Sequence, residues 1–144
     1  MTPSVNISVA ADIDALPDAL GAIAVFAAGH ALEPRIAFAM EVVADEIISN
    51  VIRHGRTASG APPNIRMQAD ADQNQATLTI FDDAGPFNPL LDAPAPDLDA
   101  DVTNRKVGGL GAFLVKEMSD AQAYAREDGW NRIEATWRRG EAAA

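Results

Sequence analysis

The chain is 144 residues long, carries a formal net charge of −10 and contains no cysteine. Its length predicts one domain over residues 1–140, with a frayed tail over residues 141–144. The absence of cysteine excludes disulfides and thiolate metal sites, and the negative charge disfavours direct binding to nucleic acid. Residues 1–4 do not begin a signal peptide and no apolar run approaches ~18 residues, so we expect a cytoplasmic protein without a membrane segment.

The predicted elements begin with a strand over residues 5–9, in which apolar and polar side chains alternate. A helix capped by Asp12 or Asp14 follows, and a second helix begins at Pro34 and ends at Gly55. The apolar stripes that these helices bury are Leu16, Leu20, Ile23 and Phe26 in the first and Ile36, Met40, Val43, Ile47 and Val51 in the second.

The second half of the chain predicts more strands and a third helix. Ile65 and Met67 mark one strand, the next ends at Asp82, and a helix follows the glycines near residue 108. Residues 122–126 and 131–137 form a predicted hairpin whose turn is Asp128-Gly129. Together these elements predict a two-layer α/β sandwich, with a mixed, mostly antiparallel sheet and three helices on one face.

Glu46 and Asn50 form a first polar cluster on the second helix. Their spacing of four residues places both side chains on one face, one turn apart. A carboxylate there can take a proton from an attacking hydroxyl, and an amide oxygen can help to hold Mg²⁺. The alternative is an ordinary exposed helix face.

A second cluster, residues 82–89, follows the strand that ends at Asp82. A carboxylate at this position can accept a hydrogen bond from the exocyclic amine of a purine. The alternative is a simple turn, because Asp, Gly, Asn and Pro are the usual turn residues.

A third cluster contains Gly108, Gly109 and Gly111, directly before an apolar run with helical spacing. Glycines let backbone N–H groups approach a ligand closely, and the helix N-terminus favours an anion such as phosphate. The alternative is a flexible joint. Arg105 and Lys106 stand just before the glycines, after an acidic loop that begins at residue 90, and can neutralise a phosphate.

In chain order, the three clusters resemble the ATP-binding motifs of the GHKL superfamily, which contains gyrase, the histidine kinases and the MutL-type repair ATPases. Residues 46–55 are similar to its Glu-x-x-x-Asn motif followed by His-Gly, and residues 82–89 to its Asp-Asp-Gly-x-Pro-Phe-Asp-Pro motif. Residues 108–115 are similar to its Gly-Gly-x-Gly motif. The likeness spans nearly the whole chain and is greatest to the small anti-sigma-factor serine kinases.

The resemblance implies a role for each matching residue. Glu46 would be the general base and Asn50 a ligand of Mg²⁺ and the nucleotide, while Asp82 would accept a hydrogen bond from adenine. Ala84 stands where the family has a glycine, and its methyl would crowd the base. The alternative is to align the Asp-x-Gly of the family with Asp83, Ala84 and Gly85, which would make Asp83 the carboxylate that contacts adenine. The remaining implied nucleotide-binding residues are Phe87, Lys106, Gly108, Gly109, Leu110 and Gly111.

The function implied by the resemblance is a serine/threonine kinase that transfers the γ-phosphoryl group of Mg-ATP to a STAS-domain antagonist protein. A sigma factor is a further implied partner, and a homodimer stays open. One alternative is a nucleotide-binding switch that sequesters its partner without phosphorylating it. Another is a histidine-kinase catalytic domain separated from its sensor, which the short loop before the glycines disfavours.

Overall fold

The computed structural model describes residues 4–90 and 109–140. Five strands and three α-helices form within those two ranges. In chain order they are β1 (Val5–Val9), α1 (Leu16–Gly29), α2 (Pro34–His54), β2 (Ile65–Ala71), β3 (Gln75–Asp82), α3 (Gly109–Met118), β4 (Ala121–Glu127) and β5 (Trp130–Arg138).

The five strands form one sheet in the order β1-β2-β3-β5-β4. Every pairing between these strands is antiparallel, whereas the sequence predicted a mixed, mostly antiparallel sheet. Met67, Ile80 and Ile133 lie opposite one another on β2, β3 and β5, and in the next row on the same face Ile65 pairs with Asp82 and Asp82 with Asn131. The register therefore places two polar side chains at the end of an apolar face.

The helices pack on that apolar face of the sheet, which confirms the predicted two-layer fold class. Ile23, Met40, Ile48 and Val115 from the three helices belong to one buried cluster with the inward side chains of the strands. No helix within residues 4–90 and 109–140 is long and apolar enough to cross a bilayer. The amphipathic pattern of α1 and α2 is thus explained by burial against the sheet.

The start of α1 differs from the prediction. Asp12 accepts a hydrogen bond from the backbone N–H of Asp14 at 2.9 Å, and thereby caps a short 3-10 turn over Ile13–Ala15. The α-helix begins only at Leu16, with Pro17 in its first turn and no side-chain cap. The capping chemistry was predicted correctly, but it serves the turn before the helix.

The side chain of Arg139 links the end of β5 to the connection between α1 and α2. Its guanidinium donates to a carboxylate oxygen of Glu33 at 3.0 Å and to the carbonyl oxygens of Ala31 at 2.9 Å and His30 at 3.3 Å. It also donates to the carbonyl oxygen of Asp72 at 3.1 Å. These contacts satisfy carbonyls beyond the helix end and hold the helical layer against the sheet.

Candidate functional site

The first polar cluster lies on the C-terminal half of α2. Glu46 and Asn50 are half-buried, and Asn50 lies one turn before the end of the helix. Within the described residues, neither the Glu46 carboxylate nor the Asn50 amide has a hydrogen-bond or ion-pair partner. Both groups are therefore available to a ligand on the same face of the helix, one turn apart.

The environment of Glu46 makes its carboxyl a stronger base than that of an exposed glutamate. Burial raises the pKa of Glu46, and the nearby negative charge of Asp45 raises it further. The positive charge of Arg53 opposes both effects. A base with a raised pKa accepts a proton more readily in the transition state of a proton transfer.

Asp82, the last residue of β3, is only 7% exposed. Its Oδ1 accepts hydrogen bonds from the side-chain amide of Asn131 at 2.9 Å and from the backbone N–H of Ala84 at 3.1 Å. Its Oδ2 has no partner within the described residues. Burial raises the pKa of Asp82, while these two hydrogen bonds and the charge of Arg126 oppose the rise.

Asp83 has a different environment, although it is the next residue. One of its carboxylate oxygens accepts from the backbone N–H of Asn64 at 2.6 Å, and the other accepts from the Asn64 side-chain amide at 2.8 Å. Both oxygens are therefore engaged with the chain itself. This geometry favours Asp82 over Asp83 as a residue available to a ligand.

The structure ties the first two clusters together at one end of the molecule. Gly55, which ends α2, packs so closely on the loop after β3 that a β-carbon at this position would lie 3.1 Å from the methyl carbon of Ala84. The backbone N–H of Gly85 donates to the carbonyl oxygen of Arg56 at 3.1 Å. The helix that carries Glu46 and the strand that carries Asp82 are thus joined where α2 ends, close to Asp82 and more than two helical turns from Glu46.

The third cluster is described only in part. Gly109 begins α3, and Leu110 and Gly111 lie in its first turn. Lys106 and Gly108 lie outside the described residues. The helix packs against α2. Val115 in its second half is buried, and the indole N–H of Trp137 donates to the carbonyl oxygen of Met118 at its end. Phe87, in the loop after β3, is 50% exposed.

Three residues of the β4–β5 hairpin belong to the same site, and no sequence motif identified them. Asn131 contacts Asp82, the hydroxyl of Tyr124 donates to Asn131, and Arg126 donates to the carbonyl oxygen of Ala84 at 2.7 Å. One signal was available: Asn131 occupies an inward position of a strand whose other inward residues are apolar. A polar side chain there requires a buried partner.

Comparison with known proteins identifies the family. The profile of the family described as "Histidine kinase-like ATPase domain" matches residues 9–137. The chain belongs to this family, and the predicted GHKL resemblance is confirmed.

Two individual proteins are similar to it. Serine/threonine-protein kinase BtrW of Bordetella bronchiseptica is 29% identical over 102 residues, which cover 71% of this chain and 70% of BtrW. The crystal structure of the RsbU and RsbW domains of Rv1364c from Mycobacterium tuberculosis matches with a TM-score of 0.67 at 13% identity. That match covers 96% of this chain but 32% of the other, so it concerns the fold of one part of a longer protein.

Proposed function

We propose that this chain is an ATP-binding serine/threonine kinase of the anti-sigma type, whose substrate is a hydroxyl of a STAS-domain antagonist protein. The observation that carries the proposal is a set of three polar groups, on two elements that contact each other, that have no partner among residues 4–90 and 109–140. These groups are the Glu46 carboxylate, the Asn50 amide and Oδ2 of Asp82. The similarity to BtrW, a serine/threonine kinase, supports the same function.

The residues present fit Mg-ATP at each point that the structure describes. Oδ2 of Asp82, which no described residue engages, can accept from the exocyclic amine of adenine. The Asn50 amide oxygen suits a hard cation that takes few protein ligands. The start of α3 at Gly109 presents backbone N–H groups suited to phosphate oxygens. Lys106 and Gly108 would complete this phosphate site.

The chemistry assigned to the chain is orientation and proton transfer. Bound ATP would supply the γ-phosphoryl group, and its Mg²⁺ ion would offset the negative charge of the phosphates. Glu46 would accept the proton of the attacking serine or threonine hydroxyl. The hydroxyl oxygen would then bond to the γ-phosphorus as the bond to ADP breaks and ADP leaves. Asn50, one turn from Glu46, would align the metal with that base.

The test is transfer of labelled phosphate from ATP to a STAS-domain protein, measured in a single turnover. Glu46→Gln keeps the size of the side chain and removes the base, so we expect ATP binding to persist and transfer to fall by roughly 10²–10⁴-fold. Undiminished transfer would exclude Glu46 as the base. ATP binding without transfer by the wild type would instead support a sequestering switch.

A further inference from the structure

Asn131 is the centre of a hydrogen-bond network that joins three elements of the site. Its side-chain nitrogen donates to Oδ1 of Asp82 at 2.9 Å and to the carbonyl oxygen of Gly85 at 2.9 Å. Its side-chain oxygen accepts from the hydroxyl of Tyr124 and from the backbone N–H of Phe87 at 3.4 Å. The residue is 5% exposed, so water does not compete for these contacts.

The neighbours of the amide fix its orientation. The carbonyl oxygen of Gly85 can only accept and the N–H of Phe87 can only donate, so the nitrogen must face Gly85 and the oxygen must face Phe87. In that orientation the second amide proton meets Asp82. The contact between Asn131 and Asp82 is therefore imposed by the surrounding backbone and does not depend on the presence of a ligand.

The two carboxylate oxygens of Asp82 consequently differ in their partners among the described residues. Oδ1 already accepts two hydrogen bonds, from Asn131 and from Ala84, whereas Oδ2 accepts none within the described residues. We propose that Asn131 is the residue that determines base specificity at this site, by holding Asp82 so that Oδ2 is presented to the exocyclic amine of adenine. This inference rests on the proposed ATP site.

The same contact determines which charge state of Asp82 meets the base. An amide N–H stabilises an ionised carboxylate, and an ionised carboxylate accepts from the adenine amine but repels the carbonyl oxygen of guanine. A protonated carboxyl could donate to that carbonyl and would lose the discrimination. Burial raises the pKa of Asp82 and the hydrogen bond from Asn131 lowers it, so this donor favours the ionised carboxylate.

The experiment compares ATP and GTP dissociation constants by calorimetry for the wild type and two variants, Asn131→Ala and Tyr124→Phe. We expect Asn131→Ala to reduce the preference for ATP over GTP by about tenfold, which corresponds to the net free energy of one hydrogen bond. The loss should grow as the pH is lowered, because the carboxyl that has lost its donor protonates first. Tyr124→Phe removes only the hydroxyl that bonds to Asn131 and should produce a smaller loss in the same direction.

Asn64→Ala is the matched control, because it removes an asparagine from the neighbouring carboxylate, Asp83. We expect the ratio of the two dissociation constants to stay at the wild-type value in this variant. An ATP preference retained in folded Asn131→Ala overturns the role of Asn131 alone. If that variant does not fold, Tyr124→Phe decides, and an unchanged ratio overturns the proposal. A wild type that binds neither nucleotide overturns the proposed function as well.

Discussion

A β-carbon on Gly55 would lie 3.1 Å from the methyl carbon of Ala84. The absence of a side chain at the end of α2 therefore lets Ala84 pack closely against the helix. Ala84 stands where the GHKL resemblance has a glycine, and it is only 5% exposed. Its methyl is therefore covered from the side of α2. The two positions form a small-residue contact that brings the helix and the loop after β3 together.

The first prediction follows from this contact. Gly55→Ala places a methyl 2.7 Å from the carbonyl oxygen of Val51 as well as 3.1 Å from Ala84, and backbone must move to accommodate it. We expect a loss of about 1–3 kcal/mol in the free energy of unfolding, typical of overpacking, measured by urea denaturation. Unchanged stability would show that the end of α2 is free to shift.

Gly21→Ala is the control for that variant, because nothing lies within 4 Å of a β-carbon at this exposed position in α1. There the same change should stabilise the protein by roughly 0.5–1 kcal/mol through helix propensity. Combining Gly55→Ala with Ala84→Gly should recover part of the loss, since one of the two close contacts disappears.

The second prediction concerns the carboxylate that contacts the base. Asp82→Asn should weaken ATP binding by about 1–3 kcal/mol, because a charged hydrogen-bond acceptor is lost from a buried position. Asp83→Asn should leave ATP affinity nearly unchanged, since both oxygens of Asp83 are engaged by Asn64. Calorimetry with the two variants checks this, and greater damage from Asp83→Asn would establish the other frame of the motif.

The elements were largely predictable because each one carries its own local signal. The strand over residues 5–9, the helix between Pro34 and Gly55 and the turn at Asp128-Gly129 are confirmed. Asp128 and Gly129 have φ angles of 52° and 84°, the left-handed values that such a tight hairpin turn requires. Periodicity and turn chemistry are properties of short segments, so the sequence alone reveals them.

The hydrogen-bonded part of the site was not predictable in the same way. Asn131 and Asp82 are 49 residues apart in the chain and meet because β3 pairs with β5 in one particular register. That register depends on the packing of the whole sheet. The engagement of Asp83 by Asn64 likewise requires β2 and β3 to be aligned, so only the structure distinguishes the two neighbouring aspartates by their partners.

The third prediction concerns the metal. Asn50→Ala should remove the dependence of ATP binding on Mg²⁺, because the amide oxygen is the ligand proposed to come from the protein. Its side chain makes no hydrogen bond within the described residues, so the substitution should leave the free energy of unfolding nearly unchanged. Titration of Mg²⁺ at fixed ATP measures the effect, and an unaltered titration would exclude Asn50 as the metal ligand.

The last prediction concerns the pH dependence of phosphoryl transfer. Glu46 must be ionised to accept a proton, and its pKa is raised by burial and by Asp45. The rate should therefore fall on acidification through a pKa above the usual range of a glutamate. Arg53→Gln removes the charge that opposes this rise and should move the acid limb to higher pH. Asp45→Asn removes a like charge and should move the limb to lower pH.

Opposite shifts of the acid limb in these two variants would identify Glu46 as the titrating group, provided that a change in net charge elsewhere on the protein does not move the limb. A third variant tests that condition. Asp70→Asn makes the same change in charge as Asp45→Asn, but on an exposed position of β2 whose side chain faces away from the helices. It should leave the pH profile at the wild-type position. Single-turnover transfer rates across the acid range measure all three variants, and a profile that none of them moves would assign the acid limb to another group.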